Sequence, residues 1–176
     1  MSKICTGAAA LAALALAWAA SGGAAADTPA GVRAFQHGDF KRALEELSPE
    51  AEKGDPVALY ALGRMHSAGL GVDKDTKQAA ALFKRAAEAG YPAAQNEYGA
   101  ALALGEGVEQ NLDEALKWLL IAARAGNESA QEYAQRLGKY MPRSSVGEIR
   151  RQAIEWEEKN RARLRAQETP PAEAAR

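Results

Sequence analysis

The chain has 176 residues, 22 of them basic and 23 acidic, for a net charge of −1. That balance excludes the one-signed field that draws nucleic acid or an anionic membrane surface. One cysteine and two histidines exclude a disulfide framework and a multi-ligand metal site.

The first element is a leader. Lys3 precedes an apolar run from Ile4 to about Ala20, then come Ser21-Gly22-Gly23 and Ala24-Ala25-Ala26 before Asp27. That order predicts a secretory signal peptide over residues 1–26, cleaved after Ala26. The competing reading is an uncleaved anchor helix, which needs about 20 apolar residues. This run reaches that length only by counting weakly apolar alanines, and it ends in a small-residue cleavage site. Cys5 lies too early to carry a lipid and leaves with the leader. The expected location is periplasmic or secreted, without stable membrane insertion after cleavage.

A short helix is predicted over about Pro29–Gln36, in an N-terminal degenerate helix pair spanning 27–54. Asp39, Ala43, Leu47, Ala51 and Gly54 then follow the frame of a second repeat helix. Ser48-Pro49 interrupts that stretch and predicts a kink or restart.

Residues 55–126 hold one 36-residue unit written twice, Asp55–Gly90 and Tyr91–Gly126. The matches include Pro56/Pro92, Gly63/Gly99, Gly69/Gly105, Gly71/Gly107, Val72/Val108, Ala79/Ala115, Ala86/Ala122 and Gly90/Gly126. They are helix starters, bends and small contact residues, while charged positions drift. Pro56 and Pro92 open first helices ending at Ala68 and Leu104, since proline at the first helical position loses no hydrogen bond. Gly63 and Gly99 interrupt those helices at equivalent places. A helix-interior glycine costs about 1 kcal/mol against alanine, so its recurrence predicts close helix–helix approach. Paired glycines then reverse the chain. Asp75-x-x-Gln78 and Asn111-x-x-Glu114 read as capping boxes opening second helices, which Gly90 and Gly126 close.

Residues 127–166 continue more weakly. Ala130, Ala134 and Leu137 repeat the first-helix pattern. Ser145-x-x-Glu148 reads as a capping box for a last helix with Ile149, Ala153 and Trp156, whose polar remainder suits a capping role. A disordered tail is expected over 167–176. The fold class is therefore all-α, an α-solenoid of antiparallel helix pairs with two full repeats and flanking half repeats. So short a solenoid leaves its ends poorly covered, and a homodimer or docking onto a larger assembly would cover them.

The strings Ala94-Gln95-x-x-Tyr98-Gly99, Gly105-Glu106-Gly107-Val108-x-Gln110-Asn111, Ala115-Leu116-Lys117-Trp118 and Ala122-Ala123-x-x-Gly126 resemble a Sel-one-like repeat, a relative of tetratricopeptide repeats. The first unit is similar, with His66 where the family favours tyrosine and Leu82 at its tryptophan position. The resemblance implies that the pairs stack as a right-handed α-solenoid, a non-enzymatic adaptor that holds a peptide or partner protein in its concave groove. It places Tyr60, Arg64 and Ser67, then Asn96, Ala100 and Ala103, then Glu132, Arg136 and Lys139 along that groove. Ala61 and Glu97 stand where the family often has asparagine. Two alternatives come with the resemblance. One is cell-wall or β-lactam chemistry as in cysteine-rich relatives, whose paired cysteines are missing here. The other is an exported effector that engages host proteins.

The residues supply no catalytic constellation, no cofactor motif and no metal set. His66 lies on the apolar stripe and reads as a packed, hydrogen-bonded histidine. Adjacent Ser67 points away from it on a helix. Gly105-x-Gly107 follows no strand and lacks a third glycine, so it is not a phosphate loop.

Overall fold

The computed structural model describes residues 29–168, with side chains as far as Arg161. These residues form helices α1 (Ala30–Gln36), α2 (Phe40–Glu52), α3 (Pro56–Ala68), α4 (Thr76–Glu88), α5 (Pro92–Leu104), α6 (Leu112–Arg124), α7 (Glu128–Gly138) and α8 (Arg143–Glu168), with no strand among them. Consecutive helices pack in pairs from α1 to α7, the stacking of an all-α solenoid. The predicted leader and the last eight residues lie outside the described residues.

Each repeat is built by the same few bonds. Asp75 and Asn111 cap α4 and α6, their side chains accepting from the Gln78 and Glu114 amides at 2.9 and 3.0 Å. The other half of the predicted capping box is not made. The Asp75 and Asn111 amides instead donate to the His66 and Leu102 carbonyls, each at 2.9 Å. These two bonds close the glycine loops onto the preceding helices. At Gly69 and Gly105, φ values of 69° and 73° end the first helices in the left-handed conformation that suits glycine.

The helices sit close because small residues line their contacts. Ala79, Ala86, Ala94, Ala115 and Ala122 are buried, and Leu59, Leu62, Met65, Phe83, Tyr98, Leu102 and Trp118 fill the space between them. A β-carbon on Gly63 would lie 2.6 Å from a ring carbon of Phe83, and one on Gly99 would lie 2.9 Å from Leu119 Cγ. The repeated glycines thus mark the contact between the two helices of each unit.

The structure departs from the sequence reading at two places. First, α2 runs unbroken through Pro49. Proline removes only the donor to Glu45, on an exposed turn near the helix end, and the Ser48 hydroxyl donates to the Leu44 carbonyl at 2.6 Å. Second, α8 opens at Arg143, so Ser145 and Glu148 lie inside it rather than at its cap. Pro142 leads the helix, its carbonyl accepting from Val146 N–H at 3.0 Å, and the helix extends to Glu168, past the expected start of the tail.

Helix α7 continues the first-helix pattern, and α8 does not pair with it as a second helix would; it lies against α6. Trp156 meets Trp118 edge-on at 5.3 Å, Trp118 meets Tyr98 at 5.8 Å, and Arg124 donates to Glu157 at 2.8 Å. The α7–α8 turn is four residues long, against seven in each glycine loop. Met141 and Arg143 stand where the repeats have paired glycines, so that turn lacks the hairpin geometry.

Candidate partner-binding groove

The first helices α3, α5 and α7 carry eight of the nine positions chosen from sequence, with Lys139 at the C-terminal end of α7, and the structure treats them differently. Tyr60 is half-buried, its ring 5.9 Å from Phe83 and 5.1 Å from Tyr91. Arg64 Nη1 donates to the Tyr60 hydroxyl at 3.3 Å and to Glu97 Oε1 at 3.5 Å. Arg64 is therefore a strap between neighbouring first helices, already engaged within the fold. Ser67, Asn96 and Ala100 are part-exposed, while Ala103 is buried. Its carbonyl accepts from Gln110 Nε2 at 2.8 Å, so Ala103 contributes to the loop and core rather than to an open surface. Glu132, Arg136 and Lys139 are exposed. Arg136 lies over the Tyr133 ring at 5.5 Å, and Lys139 sits just past the end of α7.

Electrostatics follow from burial. Desolvation pushes the Glu97 carboxyl up, against the pull of Arg64. Tyr60 and Tyr91 are also raised, mainly by burial, and Tyr98 is pushed up to about 12 for the same reason. These phenols stay protonated at neutral pH and serve as packing and hydrogen-bonding groups rather than bases. Glu97 is the residue that sequence reasoning left off the face. Its signal was available, because 33 residues from Arg64 is one repeat less about one helical turn.

Other polar groups give no reaction centre. His66 Nδ1 is buried without a hydrogen-bond partner among the described residues, so the hydrogen-bonded histidine expected from sequence is not made at that nitrogen. Gln95 donates to the Ala87 carbonyl at 3.3 Å, while its own side-chain oxygen is unpaired. Among the described residues no group of three or more His, Cys, Asp or Glu side chains could hold a metal ion, and no helix is long and apolar enough to cross a membrane.

This frame matches known proteins. The Sel1 repeat model matches residues 56–91 and 92–127. A Sel1 repeat protein from Oxalobacter formigenes is 37% identical with a TM-score of 0.55, over 59% of this chain and 82% of its own. The chain belongs to the Sel1 repeat family. A second similar structure is a protective antigen present in uropathogenic Escherichia coli strains that displays an SLR fold. It is 26% identical with a TM-score of 0.65 over 95% of this chain, which spans 34% of the antigen's length. No curated protein matches the chain. Sel1 repeat proteins are generally protein-interaction scaffolds.

Proposed function

We propose that this Sel1 repeat protein is a non-enzymatic adaptor of the periplasm or extracellular space, holding a peptide or partner protein along its first helices. The observation that carries the reading is a division of labour between positions. Residues shared by the two repeats make caps, bends and close contacts, whereas the varying positions Ser67, Asn96, Ala100, Glu132 and Arg136 are left part-exposed or exposed on successive first helices. A stacked array presents such positions side by side as one extended surface. The Arg64–Glu97 strap supports that surface by fixing α3 against α5, which lowers the ordering cost of binding. The export reading rests on the leader predicted from sequence over residues 1–26.

Site-specific photocrosslinkers at Asn96 and Glu132, compared with Ala81 and Lys84 on the exposed side of α4, test the surface in cell-envelope extract. The proposal expects one adduct from the first-helix positions and none from α4. Equal adducts from both sets, or none from Asn96 and Glu132, would refute it. Fractionation by osmotic shock tests the location, with retention in the cytoplasmic fraction as the refuting result.

A further inference from the structure

Four large apolar side chains are exposed among the described residues. Three of them, Leu104, Leu112 and Tyr140, lie on the edge where first helices end and second helices begin. Leu104 is 60% exposed and Leu112 40%. They flank the second glycine loop, whose ends are joined by the bond from Asn111 N–H to the Leu102 carbonyl.

The first repeat is an internal control for this edge. Its equivalent positions are Ala68 and Thr76, and Thr76 is covered by the following repeat. A β-carbon on Gly107 would sit 2.0 Å from the Thr76 carbonyl oxygen. Gly71 packs in the same way on Phe40, with 2.6 Å from such a carbon to Phe40 Cβ. Phe40, Thr76 and Leu112 are therefore one repeating position, and each is covered by the next glycine loop except the last. Among the described residues no glycine loop covers Leu112, because the place of the next glycine is taken by Arg143 at the start of α8.

Charge changes along with polarity. From Ala68 to Lys77 the first unit carries two acids and two bases, whereas Leu104 to Asp113 carries Glu106, Glu109 and Asp113 and no base. All three carboxylates are exposed, and none makes an ion pair among the described residues. Asp113 also suits the N-terminus of α6, but Glu106 and Glu109 have no such use in the fold. Tyr140 lies between Lys139 and the turn to Arg143, so the acidic part of the edge is confined to the second loop.

We propose that this edge is a docking surface, separate from the first-helix groove, for a basic protein segment that lays apolar side chains on Leu104 and Leu112. Exposed leucines supply the contact area, and the three unpaired carboxylates select the sign of the partner and steer its approach.

The test uses the full chain and three fluorescein-labelled peptides of equal length: leucines spaced by lysines, leucines spaced by glutamates, and serines spaced by lysines. Anisotropy should show the Lys–Leu peptide binding about tenfold more tightly than either control, with affinity falling as salt screens the carboxylates. Two variants carry the decision. The double substitution Leu104→Ala with Leu112→Thr installs the first repeat's residues at the apolar positions, and Glu106→Gln with Glu109→Gln removes charge alone. Each should weaken Lys–Leu binding about tenfold while circular dichroism melts stay at the parent value. The groove variant Arg136→Ala should bind the peptide as the parent does, so failure of the groove and of this edge can be told apart. Equal binding of the Glu–Leu peptide, or undiminished Lys–Leu binding by both loop variants, would overturn the proposal.

Discussion

Replacing Gly63 with alanine sets two terms of opposite sign against each other, and the structure decides which is larger. In an isolated helix the change gains about 1 kcal/mol, because alanine is the better helix former. Here the new methyl would stand 2.6 Å and 2.7 Å from two ring carbons of Phe83, about 1 Å inside ordinary carbon–carbon contact. The ring cannot swing away freely: Phe83 is 4% exposed and packs against Tyr60 at 5.9 Å. Overpacking a filled core costs about 1–3 kcal/mol, and a pinned aromatic places this site in the upper part of that range. The net expectation is a loss of about 1–2 kcal/mol, or a drop of roughly 2–8 °C in melting temperature for a domain of this size. Urea melts of the parent, Gly63→Ala, Phe83→Leu and the double variant make the assay a double-mutant cycle. The shorter leucine should recover most of the alanine penalty, giving a coupling of at least about 1 kcal/mol between the two sites. Gly63→Ala melting at or above the parent would refute the close-approach account. A coupling near zero would do so as well.

The remaining expectations probe the cap, the strap and the C-terminal helix. Asn111→Ala removes the cap of α6 and should cost about 1 kcal/mol by urea titration, with Asn111→Asp retaining most of the stability. Glu97 holds its proton to higher pH in the folded chain than in the unfolded one, so folding takes up protons between the ordinary carboxylate value near 4.5 and the higher folded value. Stability from this group is therefore greatest at low pH and falls as pH rises through that window; Glu97→Gln should flatten this part of a stability–pH curve. Trp156→Ala should remove the ring that α8 lays on Trp118, costing about 2–3 kcal/mol and the near-UV dichroism of the pair. Arg124→Ala breaks an exposed ion pair in the same interface and should cost less than about 1 kcal/mol.

Where the chain repeats itself, the fold was legible in detail. Pro56 and Pro92 act through a fixed φ, Gly69 and Gly105 through the left-handed conformation, and Asp75 and Asn111 through one cap bond each, so helix ends follow from neighbouring residues alone. The paired glycines at Gly63 and Gly99 also announced a tertiary contact, because a costly residue kept in two equivalent places needs a common cause. The capping boxes show the limit of local reading. Gln78 and Glu114 are the right residues for the second half of that motif, yet the amides they would satisfy are taken by the His66 and Leu102 carbonyls. A tertiary closure outcompeted the local bond, and no local pattern contains that information.

Beyond the repeats the reasoning fails for a related physical reason. The period places α7, whose Ala130 and Ala134 are buried in one cluster with Leu116, Leu119 and Ala122, but it says nothing of a helix that leaves the period. Helix α8 presents Ile149, Ala153 and Trp156 on one stripe, which fixes that it must pack without fixing on what. The choice of α6 is made by Trp118, already standing against Tyr98, and by Arg124 facing Glu157. The candidate groove divides along the same line. Face membership came from the family resemblance, and Asn96, Ala100 and Glu132 are indeed part-exposed or exposed. Occupancy depends on neighbours in three dimensions, which is why Arg64 is already engaged by Glu97 and Tyr60, and why Ala103 is buried under its own loop. A repeat chain thus writes its scaffold in periodic positions, and its recognition chemistry lies in residues that break the period. Leu104 and Leu112, apolar where the first unit has Ala68 and Thr76, break it most openly.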